Sequence, residues 1–104
     1  MERYEKYMRI IAGIMGLGYD KVMGMSRKGN YPLARQIVWE SLQQEGVSAM
    51  RIGELSGRNH STILSGIKYM QGVAEYSQEI RDYREQFKKS IYGQQTDKQE
   101  PGES

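Results

Sequence analysis

Apolar residues recur at three- and four-residue steps along most of this chain, and no stretch alternates convincingly enough to argue for a strand. The pattern predicts an all-α fold of five to six helices. Tyr4, Tyr7, Met8, Ile11, Ile14 and Met15 share one face of a first helix over 2–16, which Gly16 and Gly18 end. A short second helix starts at Tyr19-Asp20, with Asp20 as its N-cap and Val22, Met23 and Met25 as its apolar residues. Ser26 to Asn30 is polar, charged and contains Gly29, the composition of a loop. Pro32 suits the first turn of a third helix, where its missing N–H costs nothing, and that helix runs to about Glu45 before Gly46. Leu33, Ile37, Val38 and Leu42 form its stripe, with Trp39 on the flank.

Ser48 is placed to cap a very short fourth helix bearing Met50, Ile52 and Leu55. Ser56-Gly57-Arg58 makes a turn, and a fifth helix follows from about Asn59 to Gln71, with Ile63, Leu64, Ile67 and Met70 as its buried set. This pair is a helix-turn-helix over about 48–71. Gly72 separates it from a long sixth helix over about 73–91, in which Val73, Tyr76, Ile80, Tyr83, Phe87 and Ile91 form a narrow seam. The seam has three available uses: packing on its own domain, pairing with a second copy as a homodimer, or docking a partner helix. From Gly93 onward no apolar side chain occurs, so a helical domain over 1–92 and a disordered tail over 93–104 are expected.

Composition narrows the chemistry. The 104 residues suit a single domain and contain no cysteine and one histidine, which disfavours a disulfide frame, a thiolate or multi-histidine metal site and a cysteine nucleophile. No metal, cofactor or catalytic residue is expected: no nucleophile, base and acid come together, and Ser61 beside His60 is no dyad, because helical neighbours point apart. Arg3, Lys6 and Arg9 interrupt the apolar residues at the N-terminus, and no apolar run is long enough to span a membrane. The expectation is a soluble, cytoplasmic, non-enzymatic protein. The net charge is only +2, but it is unevenly placed. Within 21–68, Lys21, Arg27, Lys28, Arg35, Arg51, Arg58 and Lys68 face only Glu40, Glu45 and Glu54. Such a local excess of cations favours a polyanionic partner.

The most specific signal is residues 57–64, Gly-Arg-Asn-His-Ser-Thr-Ile-Leu. They open the fifth helix with three hydrogen-bonding side chains, His60, Ser61 and Thr62. A helix that only packs on a core has no use for them, whereas one that inserts its N-terminal end among base edges does. The competing reading is that Ser61 and Thr62 satisfy first-turn N–H groups and His60 is an ordinary surface residue.

Two segments together resemble the C-terminal DNA-binding domain of the bacterial replication initiator DnaA family. Ser26-Arg27-Lys28-Gly29-Asn30-Tyr31-Pro32-Leu33-Ala34-Arg35-Gln36-Ile37 is similar to that family's basic loop and Pro-Arg-Gln-Ile helix start. Ile52-Gly53 followed by Gly57-Arg58-Asn59-His60-Ser61-Thr62-Ile63-Leu64 is similar to its Gly-Arg-Asp-His-Ser/Thr-Thr-Val-Leu signature. Order and separation agree over roughly 10–72. The resemblance implies a compact DnaA C-terminal or Trp-repressor-like fold that binds specific double-stranded DNA. His60, Ser61 and Thr62 would contact bases in the major groove, Arg27 would enter the minor groove beside Lys28, and Arg35 and Gln36 would meet phosphate or bases at the groove rim.

Arg58 and Lys68 are candidate phosphate contacts, with an intramolecular ion pair as the alternative for each. About four such cations would give a log–log salt slope near −3.6. Three departures from the family pattern stand out. The signature Asp is Asn59, the stretch from Ile52 to Arg58 is one residue short with Leu55 or Ser56 in place of a usual Phe, and the 104 residues contain no G-x-x-x-x-G-K-[ST] loop. ATP-driven assembly is therefore not carried over. Asn59 has two open readings: an N-cap that contacts no base, or a reader that pairs bidentately with adenine. Trp39, Tyr69, Tyr76 and Tyr83 are expected to be structural. The functional readings are initiator-like binding at replication origins, transcription regulation, including on a mobile element, and a protein-interaction module acting through the sixth helix.

Overall fold

The computed structural model describes residues 2–103, with side chains described for residues 2–93. Six helices follow one another: α1 (Glu2–Met15), α2 (Tyr19–Met23), α3 (Tyr31–Gln44), α4 (Ala49–Ser56), α5 (His60–Tyr76) and α6 (Gln78–Glu103). The fold is all-α. Helix α3 is central. It packs against α1, α2 and α5, and α6 crosses α1 and α5. Its inward face and both flanks are covered, so the run Ala34 to Leu42 is buried except for the half-buried Gln36. Met8, Ile11, Val22, Ile37, Val38, Leu42, Ile52, Ile63, Met70 and Phe87 make the dry centre.

Local signals fix the ends of most elements. Ser48 Oγ accepts from Arg51 N at 3.1 Å and caps α4. Gly57 takes φ +73°, which a residue with a Cβ rarely adopts, and ends α4. A Cβ on Gly53 would collide with the Arg58 carbonyl oxygen, so the tight turn between α4 and α5 needs glycine there. One start differs from the expectation and one agrees with it. The N-cap of α2 is Gly18, and Asp20 lies inside the first turn, where its charge still suits the helix dipole. The N-cap of α3 is Asn30, without a side-chain bond, and Pro32 follows in the first turn.

The expected break at Gly72 does not occur, and α5 continues to Tyr76. A glycine in a helix interior costs only about 1 kcal/mol relative to alanine, which the buried Met70 and Ala74 on either side outweigh. The real boundary is Ser77, whose backbone is extended at φ −114°, ψ 108° and whose Oγ accepts from Ile80 N. Arg81 then clasps the joint, donating through Nη1 to the carbonyl oxygen of Ala74 at 2.7 Å. The sixth helix is accordingly Gln78–Glu103 instead of 73–91. The tail expected from Gly93 onward lies largely outside the described side chains.

The apolar seam of α6 packs on its own domain. Ile80 and Phe87 are buried, with the Phe87 ring edge-on to Tyr7 at 5.4 Å between centroids. Buried Glu40 on α3 accepts from Arg84 Nη2 at 2.7 Å and from Gln71 Nε2 at 2.8 Å, tying α3, α5 and α6 together. Of the three uses open to the seam, the one seen for Ile80 and Phe87 is packing on their own domain. Ile80 and Phe87 are already enclosed, Val73 and Tyr83 are half-buried against the core, and Tyr76, at 80% exposure, faces outward. Among the described residues, no helix is long and apolar enough to cross a membrane.

Candidate nucleic-acid interface

The N-terminal tip of α5 is built by Asn59. Its backbone is extended, and its Oδ1 accepts from Thr62 N at 2.9 Å and from Ser61 Oγ at 2.8 Å. The cap holds the first turn rigid and leaves His60, Ser61 and Thr62 exposed. The Ser61 hydroxyl proton is committed to Asn59, so Ser61 offers outward acceptor lone pairs. Among the described residues, the hydroxyl of Thr62 and both ring nitrogens of His60 have no partner. His60, Leu64 and Lys68 are spaced by four residues on one exposed face, with Ser65 beside them. Leu64 was expected in the core but is 44% exposed. The signal that could have found it is that same four-residue step: His60 and Lys68, both polar, bracket Leu64 one turn away on each side.

The second component is the loop between α2 and α3. Arg27 and Lys28 are exposed there. Gly29, at φ +50°, turns the chain, and Lys28 N donates to Ser26 Oγ at 3.3 Å. Between this loop and α5 lies an open groove of about 680 Å³. Arg27, Pro32 and Gln36 line one side, Asn59, Ser61, Thr62 and Tyr69 the other, and Arg35, Trp39 and Arg58 the floor. Among the described residues no carboxylate lines it. The Oε1 of Gln36 is buried without a hydrogen-bond partner. Tyr69, expected to be structural, is 61% exposed at this groove.

The structure separates the sequence-predicted cations into two groups. Arg27, Lys28 and Lys68 are exposed. Arg35 and Arg58 are committed inside the protein. Arg35 is 3% exposed, and its Nε and Nη2 donate to the carbonyl oxygens of Val22 at 2.7 Å and Lys21 at 2.9 Å. It thereby satisfies the C-terminal end of α2. Arg58 is half-buried and bridges the α4–α5 turn to the end of α2, donating to the carbonyl oxygens of Ser56 and Gly24, each at 3.0 Å. Its guanidinium carbon stands 5.5 Å from the Trp39 ring centroid. The ion pair considered for Arg58 is replaced by these carbonyls.

Among the described residues, neither guanidinium has a carboxylate partner. Burial, and then the nearby Arg58 charge, lower the pKa of Arg35. Burial likewise lowers that of Arg58, and the charge of Arg27 adds to this while Tyr4 opposes it. Arginine stays protonated under such shifts. The result is a rigid shell of hydrogen-bond donors and acceptors above uncompensated positive charge.

Against known proteins, no family model matches the chain, and no solved structure gives a significant match. Curated sequences do match. The chromosomal replication initiator protein DnaA of Kosmotoga olearia is 32% identical over 72 residues, covering 68% of this chain and 16% of that protein. The protein DnaA 1 of Chlamydia pneumoniae is 32% identical over 77 residues, 72% of this chain and 17% of its own length. DnaA 2 of Chlamydia caviae is 30% identical over 86 residues, 81% and 19% respectively. The chain thus spans less than a fifth of the length of the curated relatives it matches. Sequence and helical architecture together relate it to the DnaA family, over a portion that corresponds in size and make-up to a DnaA C-terminal domain.

Proposed function

We propose that this domain is a sequence-specific binder of double-stranded DNA, a recognition module with no catalytic role. The tip of α5 enters the major groove, and the loop around Arg27 reaches the adjacent minor groove. The observation that carries this reading is the carboxylate-free groove between two exposed polar elements, with three arginines converging on it. A cationic ligand would find no counter-charge there, whereas a phosphate backbone would. His60, Ser61 and Thr62 supply donors and acceptors for base edges, and Leu64 supplies an apolar contact suited to a thymine methyl. Arg27 is the minor-groove candidate, because a guanidinium suits the negative field of a narrow A·T groove. Gln36 sits at the groove rim.

Arg35 and Arg58 act from below. They hold the loop, α2 and the helix-turn-helix in register and add positive field without touching the duplex. With Arg27, Lys28 and Lys68 as the exposed cations that displace counterions from the duplex, the log–log salt slope is about −2.7, shallower than the value expected from four contacts. The names of the relatives favour initiator-like recognition of replication-origin DNA over a role in transcription. No specific observation favours action through α6, whose Ile80 and Phe87 are buried.

The test is anisotropy binding to duplexes selected from a randomised pool. His60→Ala and Arg27→Ala are each expected to weaken binding to the selected duplex by about 1–3 kcal/mol. Unchanged affinity in both variants removes the assignment.

A further inference from the structure

We infer that Asn59 is a specificity determinant that selects a base-edge acceptor in the major groove, guanine first and thymine second, and discriminates against cytosine. The inference rests on the DNA-reading assignment above. It follows from what the cap does to the amide. A backbone N–H can only donate, so the atom of Asn59 that faces Thr62 N at 2.9 Å must be the oxygen. The Ser61 hydroxyl donates to the same oxygen at 2.8 Å. A carbonyl oxygen has two lone pairs, and both are now used.

What remains is Nδ2. Among the described residues nothing accepts from it, and Asn59 is exposed at the mouth of the groove, one residue before His60. The side chain therefore presents donors only. Bidentate pairing with adenine, which needs one acceptor and one donor, would break both bonds of the cap. That resolves the two readings left open by the sequence: capping and base reading coexist, and capping decides which base is read.

The base edges sort accordingly. Guanine offers two adjacent acceptors, O6 and N7, and thymine offers O4. Adenine places its N6 donor beside N7, and cytosine presents only the N4 donor. A carboxylate in the same cap would do the opposite. One oxygen would hold Thr62 N and the other would face outward as an acceptor, favouring cytosine N4. The residue type at this one position thus sets the polarity of the contact, with no change to the helix.

The experiment is a pair of parallel selections from a randomised duplex pool, using the wild-type chain and Asn59→Asp. Aspartate caps helices as well as asparagine does, so the variant is expected to fold, and circular dichroism checks this. The wild type should enrich guanine or thymine at one position by at least about fivefold over cytosine. Asn59→Asp should convert that position to cytosine and leave the others unchanged. Asn59→Ser, which keeps a cap but has no outward amide, should lose the preference at that position alone. Identical consensus sequences for wild type and Asn59→Asp, or adenine or cytosine at that position for the wild type, overturn the inference while leaving DNA reading intact. Failure of the wild type to enrich any sequence overturns the DNA-reading assignment itself, and this inference with it.

Discussion

Arg27 and Arg58 are the same residue type, but Arg27 is exposed on a loop and Arg58 is bonded inside the protein. Arg58 is held by two carbonyl oxygens and lies near the Trp39 face, so its removal leaves the Gly24 and Ser56 carbonyls without their charged donor. Arg58→Ala is expected to lower stability by about 1–3 kcal/mol in urea unfolding. It should weaken DNA binding only through the displaced turn, leaving the salt slope unchanged. Arg27→Ala should leave stability within about 0.5 kcal/mol and reduce the magnitude of the salt slope by about 0.9. Measuring both quantities on both variants separates structural from phosphate-facing arginines. The sequence could not make this distinction. Arg35 and Arg58 sit in motif positions that read as contacts, and their carbonyl partners, at Lys21, Val22 and Gly24, are many residues away along the chain.

At the scale of elements, the α3–α5 crossing depends on a missing side chain. A Cβ on Gly66 would lie 2.8 Å from a ring carbon of Trp39 and 3.2 Å from Gln36 Cγ. Gly66→Ala is expected to cost about 1–3 kcal/mol by overpacking, and to disturb the groove whose floor includes Trp39. Gly72, six residues later in the same helix, has nothing within 4 Å of such a Cβ. Gly72→Ala should therefore stabilise the protein by about 0.5–1 kcal/mol in the same unfolding assay. This contrast explains the error at the end of α5. A glycine in a helical pattern reads as a break, but whether it is a packing site, a tolerated interior residue or a terminus depends on its neighbours in space. The caps of α4 and α5, in contrast, were legible: Ser48 and Asn59 act through the backbone three residues onward, a purely local relation. Leu64 was misread because an apolar residue on an amphipathic helix is assigned inward unless a ligand surface is known to exist.

Across the whole molecule, Glu45 joins three helices at the end remote from the groove. It accepts from Arg3 Nη1 at 2.8 Å, from Tyr7 Oη at 2.8 Å and from the hydroxyl of Tyr92. Burial, reinforced by the Glu45 carboxylate, pushes the Tyr7 phenol up to about 12 from the ordinary 10, and the same causes raise Tyr92. A phenol whose folded pKa is raised binds its proton more tightly in the native state. Its stabilising contribution is complete below about pH 10 and is lost as the pH rises through about 12. Thermal melts should therefore show stability falling between pH 10 and pH 12, and Tyr7→Phe should flatten that fall. An equal slope in the variant would mean that Tyr7 does not close the bundle. This network, like the Glu40–Arg84 pair, joins residues about forty positions apart and left no mark in the periodicity that revealed the helices themselves.

In the proposed complex the tip of α5 and the loop around Arg27 meet the two grooves of a duplex together. The most direct measurement is a titration of isotope-labelled protein with a selected duplex, followed through backbone amide chemical shifts. The account predicts the largest changes at 27–30 and 59–65, with α6 from Ile80 to Ile91 little affected. Changes concentrated on α6, or none at the α5 tip, would contradict it.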